Sequence, residues 1–160
     1  MIEYIKWHKM GWNMKLGIGS DHGGYLLKQE VIKYYQGKGM EIIDFGCDSL
    51  DSVDYPIYAK KVCNSLLNKE IDYGILICTT GIGMSITANK FKGVRAALVS
   101  NLEASSLTRR HNNSNVICIG AKYTSLNDAI LYIDTFISTE FEGGRHLRRV
   151  NQIEENNENK

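Results

Sequence analysis

Cys78 closes an apolar run, Ile75-Leu76-Ile77, and opens the loop Thr79-Thr80-Gly81-Ile82-Gly83. That order reads as a buried strand, a loop rich in backbone N–H groups, and the start of a helix. Unpaired N–H groups and the helix dipole make such a start attractive to anions. A thiol at its mouth is placed to act as a nucleophile or a base. Asp21-His22 ends another short strand, just before Gly23-Gly24. The pair reads either as a helix cap or as a carboxylate and an imidazole at the same sheet end as Cys78. His111-Asn112 is followed by Asn113 and Asn115, which is ordinary turn chemistry unless the histidine moves protons near neutral pH. Arg145 and Arg149 flank His146 and Arg148 after Gly143-Gly144. Four residues apart, the two arginines share a helix face and can grip a phosphate from two sides. The ordinary reading is a solvated basic turn. The two glycines favour a phosphate site, because they let the chain come close to a ligand.

Several anion-binding chemistries are disfavoured. The 79–83 loop is not a Walker A loop, since no Gly-Lys-Ser/Thr follows, and Gly81-x-Gly83 lacks the third glycine of a dinucleotide fingerprint. A cysteine phosphatase would carry an arginine six residues after its cysteine, where this chain has Met84. A receiver domain would carry an aspartate in place of Cys78. Cys63 and Cys118 read as buried, inert thiols. The four cysteines form no C-x-x-C pair and no histidine lies at zinc-finger spacing, so no metal is expected. They read as reduced thiols, which fits a cytoplasmic protein. The net charge of +1 gives no field for nucleic acid or membrane, and no basic run with interleaved aromatics is present. No apolar stretch approaches a membrane span.

The elements that must position these residues follow from periodicity. Short apolar strands are expected over residues 15–20, 41–45, 73–78, 94–99 and 116–119. Helices are expected over 25–36, from Pro56 to about residue 68, and over 84–90, 102–110 and 125–138, with a last one starting near Gly144 and running toward residue 155. Continuous apolar strands alternating with helices imply a parallel sheet covered on both faces. Ligands bind such sheets beyond the C-terminal ends of the strands. With 160 residues, 43% of them hydrophobic and 23% charged, the chain has room for one ordinary domain. We place that domain at residues 14–150. It follows a loosely ordered extension, 1–13, that holds Trp7 and Trp12, and precedes a polar tail, 151–160.

Five segments resemble one family, the ribose-5-phosphate isomerase B and galactose-6-phosphate isomerase (RpiB/LacAB) group. They are G-S-D-H-G-G (19–24), D-Y-P-I-Y-A (54–59), I-L-I-C-T-T-G-I-G-M-S-I-T-A-N-K (75–90), R-H-N-N-S-N-V (110–116) and E-G-G-R-H-L-R-R-V (142–150). The resemblance implies a Rossmann-like three-layer α/β/α sandwich with a five-stranded parallel sheet. It implies a homodimer or tetramer with active sites at the interface, a small sugar phosphate as substrate, and no cofactor. On the matching positions, Cys78 is the base that moves a proton between C1 and C2. His111 assists ring opening, with Asp21 at the ring oxygens. The backbone of Thr80, Gly81, Ile82 and Gly83 holds the developing enediolate oxygen, with Thr79 and Thr80 lining the site. His22, Arg145 and Arg149 hold the phosphate, Asn112 holds the sugar, and Lys122 is a basic residue contributed from the partner subunit.

One position departs from the family pattern. The loop usually reads Cys-Gly-Thr-Gly, and here Thr79 replaces the first glycine. A positive φ there would strain a threonine, so the position is expected to be permissive and the pocket slightly narrower. The residue types suit aldose–ketose isomerisation, which needs a base, enediolate donors and a proton relay. The expected substrates are ribose 5-phosphate and ribulose 5-phosphate. Alternatives are a six-carbon sugar phosphate (allose or galactose 6-phosphate) and a non-catalytic phosphate-binding module. The last has no need for a Cys, a His and an Asp around one anion cradle.

Overall fold

The structure, a computed structural model, describes residues 13–155. The two tryptophans and the end of the polar tail lie outside the described residues. Five parallel strands, β1 (Lys15–Ser20), β2 (Glu41–Asp44), β3 (Tyr73–Cys78), β4 (Ala96–Leu98) and β5 (Val116–Gly120), form one sheet in the order β2-β1-β3-β5-β4. Helices α1 (Tyr25–Gly37), α2 (Tyr55–Leu67), α3 (Ile82–Ala88), α4 (Leu102–Asn112), α5 (Leu126–Ser138) and α6 (Arg145–Glu154) complete the chain.

The central strands are apolar on both faces because both faces are covered. Ile75 and Ile77 pack with Val31 and Tyr35 of α1 and Ile133 and Phe136 of α5. Leu76 and Cys78 point the other way, into Ala59, Val62 and Cys63 of α2 and Met84 and Ala88 of α3. Ile75, Leu76 and Ile77 are fully buried, and each such side chain contributes about 1.5–3 kcal/mol. The expected three-layer sandwich is therefore present. Pro56 sits in the first turn of α2. Asn101 caps α4 by accepting the Ala104 N–H, and Ser125 caps α5 by accepting the Asp128 N–H.

Two element boundaries differ most from expectation. β4 pairs over only three residues, because it is a partly exposed edge strand with no outer neighbour among the described residues. α3 starts at Ile82 rather than Met84, since the positive φ of Gly81 turns the chain into the helix at once. α6 runs to Glu154, close to the expected end near residue 155, and so takes in the first four residues of the 151–160 segment. Its end is anchored, because Glu154 accepts the Gly93 N–H at 2.9 Å and pairs with Arg95 at 2.6 Å.

Candidate active site

β1 pairs with β2 on one side and β3 on the other. Connections leaving β1 and β3 therefore diverge and open a crevice beyond their C-terminal ends, where ligands of such sheets bind. Asp21 and His22 stand at the end of β1 and Cys78 at the end of β3. Cys78 is buried, and its Sγ accepts the Gly81 N–H at 3.1 Å. Asp21 is buried and accepts the Gly24 N–H through Oδ1 at 3.1 Å, so it does bind the turn before α1. His22 accepts the Val53 N–H through Nδ1 at 3.2 Å, which leaves Nε2 to carry the proton of the neutral ring.

The 79–83 loop is held from below. A Cβ on Gly120 would lie 2.6 Å from the Thr80 carbonyl oxygen, and one on Gly81 would lie 2.9 Å from the Ile119 carbonyl carbon. The loop backbone therefore rests directly on β5. Two of its donors are engaged within the loop itself: Gly81 N–H by the Cys78 sulfur, and Ile82 N–H by the Thr80 hydroxyl at 3.3 Å. Thr79 is not in the left-handed region, where Lys69 and Asn113 are the only non-glycine residues among those described. Its hydroxyl lies 2.1 Å from the point a Gly23 Cβ would occupy, so its side chain fills space between the β1 and β3 loops. Lys122 lies at the same end, donating its backbone N–H to the Thr79 carbonyl at 3.0 Å.

The other expected site residues lie at the opposite end of the sheet. α4 leaves the C-terminal end of β4 and returns to the start of β5, carrying His111 and Asn112 with it. The Asn112 carbonyl accepts Arg95 Nε at 3.1 Å, just before β4, and the Asn115 carbonyl accepts the Gly74 N–H near the start of β3. The six residues of β3 alone put about 16 Å between that edge and Cys78. A single chain thus does not bring the histidine to the cysteine's cradle. It carries two half-sites: Asp21, His22, Cys78 and the 79–83 loop at one edge, and His111, Asn112, Arg145 and Arg149 at the other.

The second half-site contains residues that sequence reasoning left out. His146 stacks on His111 with ring centroids 4.3 Å apart and planes 11° from parallel. Arg110 donates Nε to Glu142 Oε1 at 2.6 Å, and the Arg110 carbonyl accepts the Glu142 N–H. Glu142 Oε2 faces His146 Nε2 at 3.4 Å, and that buried nitrogen has no hydrogen-bond partner among the described residues. The hydrogen bond from Arg110 holds the Glu142 carboxyl below its ordinary range, with nearby charges adding to the effect. Burial pushes the His146 imidazole down, and His111 and Arg145 push it further. The 142/146 spacing was visible in the sequence, but nothing in it pointed to a stack with residue 111. Ligand atoms of His111, Glu142 and His146 lie within 4.8 Å of one another. They do not suit a metal ion: lone pairs of parallel rings do not converge on one point, and Arg110 already holds one carboxylate oxygen.

Cys63 and Cys118 are inert by position. Burial pushes Cys63 up to about 12 and Cys118 well above its ordinary value. Among the described residues no helix is long and apolar enough to cross a membrane.

A family model described as Ribose/Galactose Isomerase matches residues 16–153. The chain is 42% identical over 139 residues to ribose-5-phosphate isomerase B of Escherichia coli, covering 87% of this chain and 93% of that protein. It superposes on a crystal structure of a ribose 5-phosphate isomerase from Thermotoga maritima with a TM-score of 0.88 and 47% identity, covering 89% and 98% of the two chains. It also superposes on ribose-5-phosphate isomerase B from Mycoplasma genitalium with bound ribulose-5-phosphate, with a TM-score of 0.84 and 38% identity, covering 89% and 95%.

Proposed function

Because the chain belongs to the ribose/galactose isomerase family, we propose that it interconverts ribose 5-phosphate and ribulose 5-phosphate through an enediolate, with Cys78 as the base. The observation that carries this reading is the placement of Cys78, with its loop, at the crevice between β1 and β3. The names of the relatives agree with it.

Ring opening comes first. His111 gives a proton to the furanose oxygen as the C1–O4 bond breaks, and Asp21 takes the proton from the C1 hydroxyl. The Cys78 thiolate then removes the proton from C2. The electron pair forms the C1=C2 double bond, and the former carbonyl oxygen becomes an oxyanion beside the 80–83 backbone. Protonation of O1, loss of the O2 proton and return of the proton from sulfur to C1 give the ketose. Arg145 and Arg149 with His22 hold the phosphate and Asn112 a sugar hydroxyl, so remote binding energy positions the reacting carbons.

These steps need both half-sites at one sugar, and one chain keeps them apart. A second copy supplies the missing half, as a homodimer in which Cys78 of one subunit faces His111 of the other. The edge strand β4, with Leu98 exposed on it and Leu102 exposed at the start of α4, offers an apolar border for such a contact.

The test is turnover of pentose phosphates by wild type and Cys78→Ala. The variant should keep its circular dichroism and lose about 10²–10⁴-fold in kcat. Near-normal turnover would sink the base assignment.

A further inference from the structure

The His111–His146 stack takes no direct part in the proton transfers of isomerisation. His111 is half-buried on the last turn of α4, so its ring can occupy more than one rotamer unless something holds it. His146 lies on the first turn of α6 and is 7% exposed. Its ring covers one face of the His111 ring at 4.3 Å and 11°. His146 is fixed in turn from the loop before α6. Glu142 faces its Nε2 at 3.4 Å and is tied to Arg110, the residue before His111, by both side chain and backbone. The segment 142–146 therefore loops back from Arg110 and lays a flat surface against the neighbouring side chain.

We propose that His146 is a positioning residue for His111: its buried ring sets the plane from which the His111 imidazole delivers a proton to the furanose oxygen, and the Arg110–Glu142 contacts fix the return that carries His146. The inference rests on His111 acting in ring opening. Burial and the neighbouring arginines push the His146 imidazole toward its neutral form, which disfavours a second charge in the ring stacked on His111. His146 does not touch the sugar in this role. It removes orientations of His111 that point away from the ring oxygen, and misplacement of a proton donor by about 1 Å costs up to about 10²-fold.

The role predicts a split between two steps. Ribose 5-phosphate is a furanose and must be opened. Ribulose 5-phosphate carries its phosphate on the oxygen that would close a furanose, so it reaches the enediolate with no ring step. Two rates are measured in His146→Ala and His146→Phe: conversion of ribose 5-phosphate, and exchange of the C1 hydrogen of ribulose 5-phosphate with deuterium from the solvent. His146→Ala should convert ribose 5-phosphate about 10–100-fold more slowly and keep its exchange rate within about threefold of wild type. His146→Phe keeps a flat face and should recover most of the conversion. Equal loss of both rates, or a His146→Phe variant as slow as His146→Ala, overturns the proposal. Imidazole nitrogen resonances of His111 read the positioning without any sugar. They should shift or broaden in His146→Ala, and unchanged resonances refute it even if isomerisation is confirmed. A wild-type protein with no pentose phosphate turnover would refute the reading of the reaction instead.

Discussion

Complementation between two inactive variants tests the split site directly. Cys78 and His111 must reach adjacent atoms of one pentose, within roughly 3 Å of the protons they move. In one chain β3 alone holds their ends of the sheet about 16 Å apart. If each site takes Cys78 from one subunit and His111 from the other, Cys78→Ala and His111→Ala are each defective in every site of a homodimer. In a mixed dimer one site combines both defects and the other combines two intact halves. Random reassociation of equal amounts makes half the dimers mixed, so specific activity should rise to about a quarter of wild type. The assay is ribose 5-phosphate turnover after mild denaturant exchange and refolding of the mixture, against each variant treated alone. A control pair, Cys78→Ala with Asp21→Ala, carries both defects in the same half-site and should recover nothing. If the first mixture stays at the level of its parents while wild type survives the same treatment, the two half-sites do not meet across an interface. If the control recovers too, Asp21 and Cys78 do not belong to one half.

Two further outcomes follow from the geometry. Gly120→Ala places a methyl group 2.6 Å from the Thr80 carbonyl oxygen and 2.7 Å from its carbon, both backbone atoms that move only with the whole loop. It should cost about 1–3 kcal/mol in urea unfolding, and lower kcat more than the change in stability explains. The second is a pH dependence of stability. The His146 imidazole is depressed below its ordinary 6.5 in the folded state, so the unfolded chain binds the proton more readily. Stability is complete above about pH 6.5 and falls as the pH drops from there through the folded value. Glu142, depressed below its ordinary 4.5, adds a second loss at lower pH. Urea midpoints measured from pH 7.5 to 5.5 should decline in wild type and flatten in His146→Phe.

The fold was legible in the sequence because its signals are local. Ile75-Leu76-Ile77 read as a buried strand and is one, and Pro56 marked a helix start that the structure keeps. The boundaries that moved are the ones set by tertiary neighbours. β4 is short because nothing among the described residues pairs with its outer edge, and α3 starts early because Gly81, with its positive φ, rests against β5. Thr79 also answers to a neighbour: its backbone is ordinary, and its side chain fits because residue 23 is a glycine with no Cβ to meet it.

The separation of the half-sites was available from the sequence as well, through a different route. A parallel sheet requires each crossover helix to carry the chain back from the C-terminal edge to the N-terminal edge. α4 has 11 residues, about 16 Å of helix, which matches the length of β3. The same order of elements that puts Cys78 at one edge therefore puts His111 at the other. No rearrangement of side chains within one chain closes that distance, since the sheet between them is the core itself. Motif spacing along the sequence conceals this, because it says which residues are present without saying at which end of the sheet each one stands. The stack of His146 on His111 was hidden for a different reason. It depends on a five-residue return, 142–146, whose path is set by the Arg110–Glu142 contacts and by two left-handed glycines, Gly143 and Gly144. Those glycines suggested close approach to a phosphate. In the fold they also bend the chain so that His146 lies flat on His111, and one short motif thereby carries both the arginines proposed to hold the phosphate and the imidazole that stacks on its neighbour.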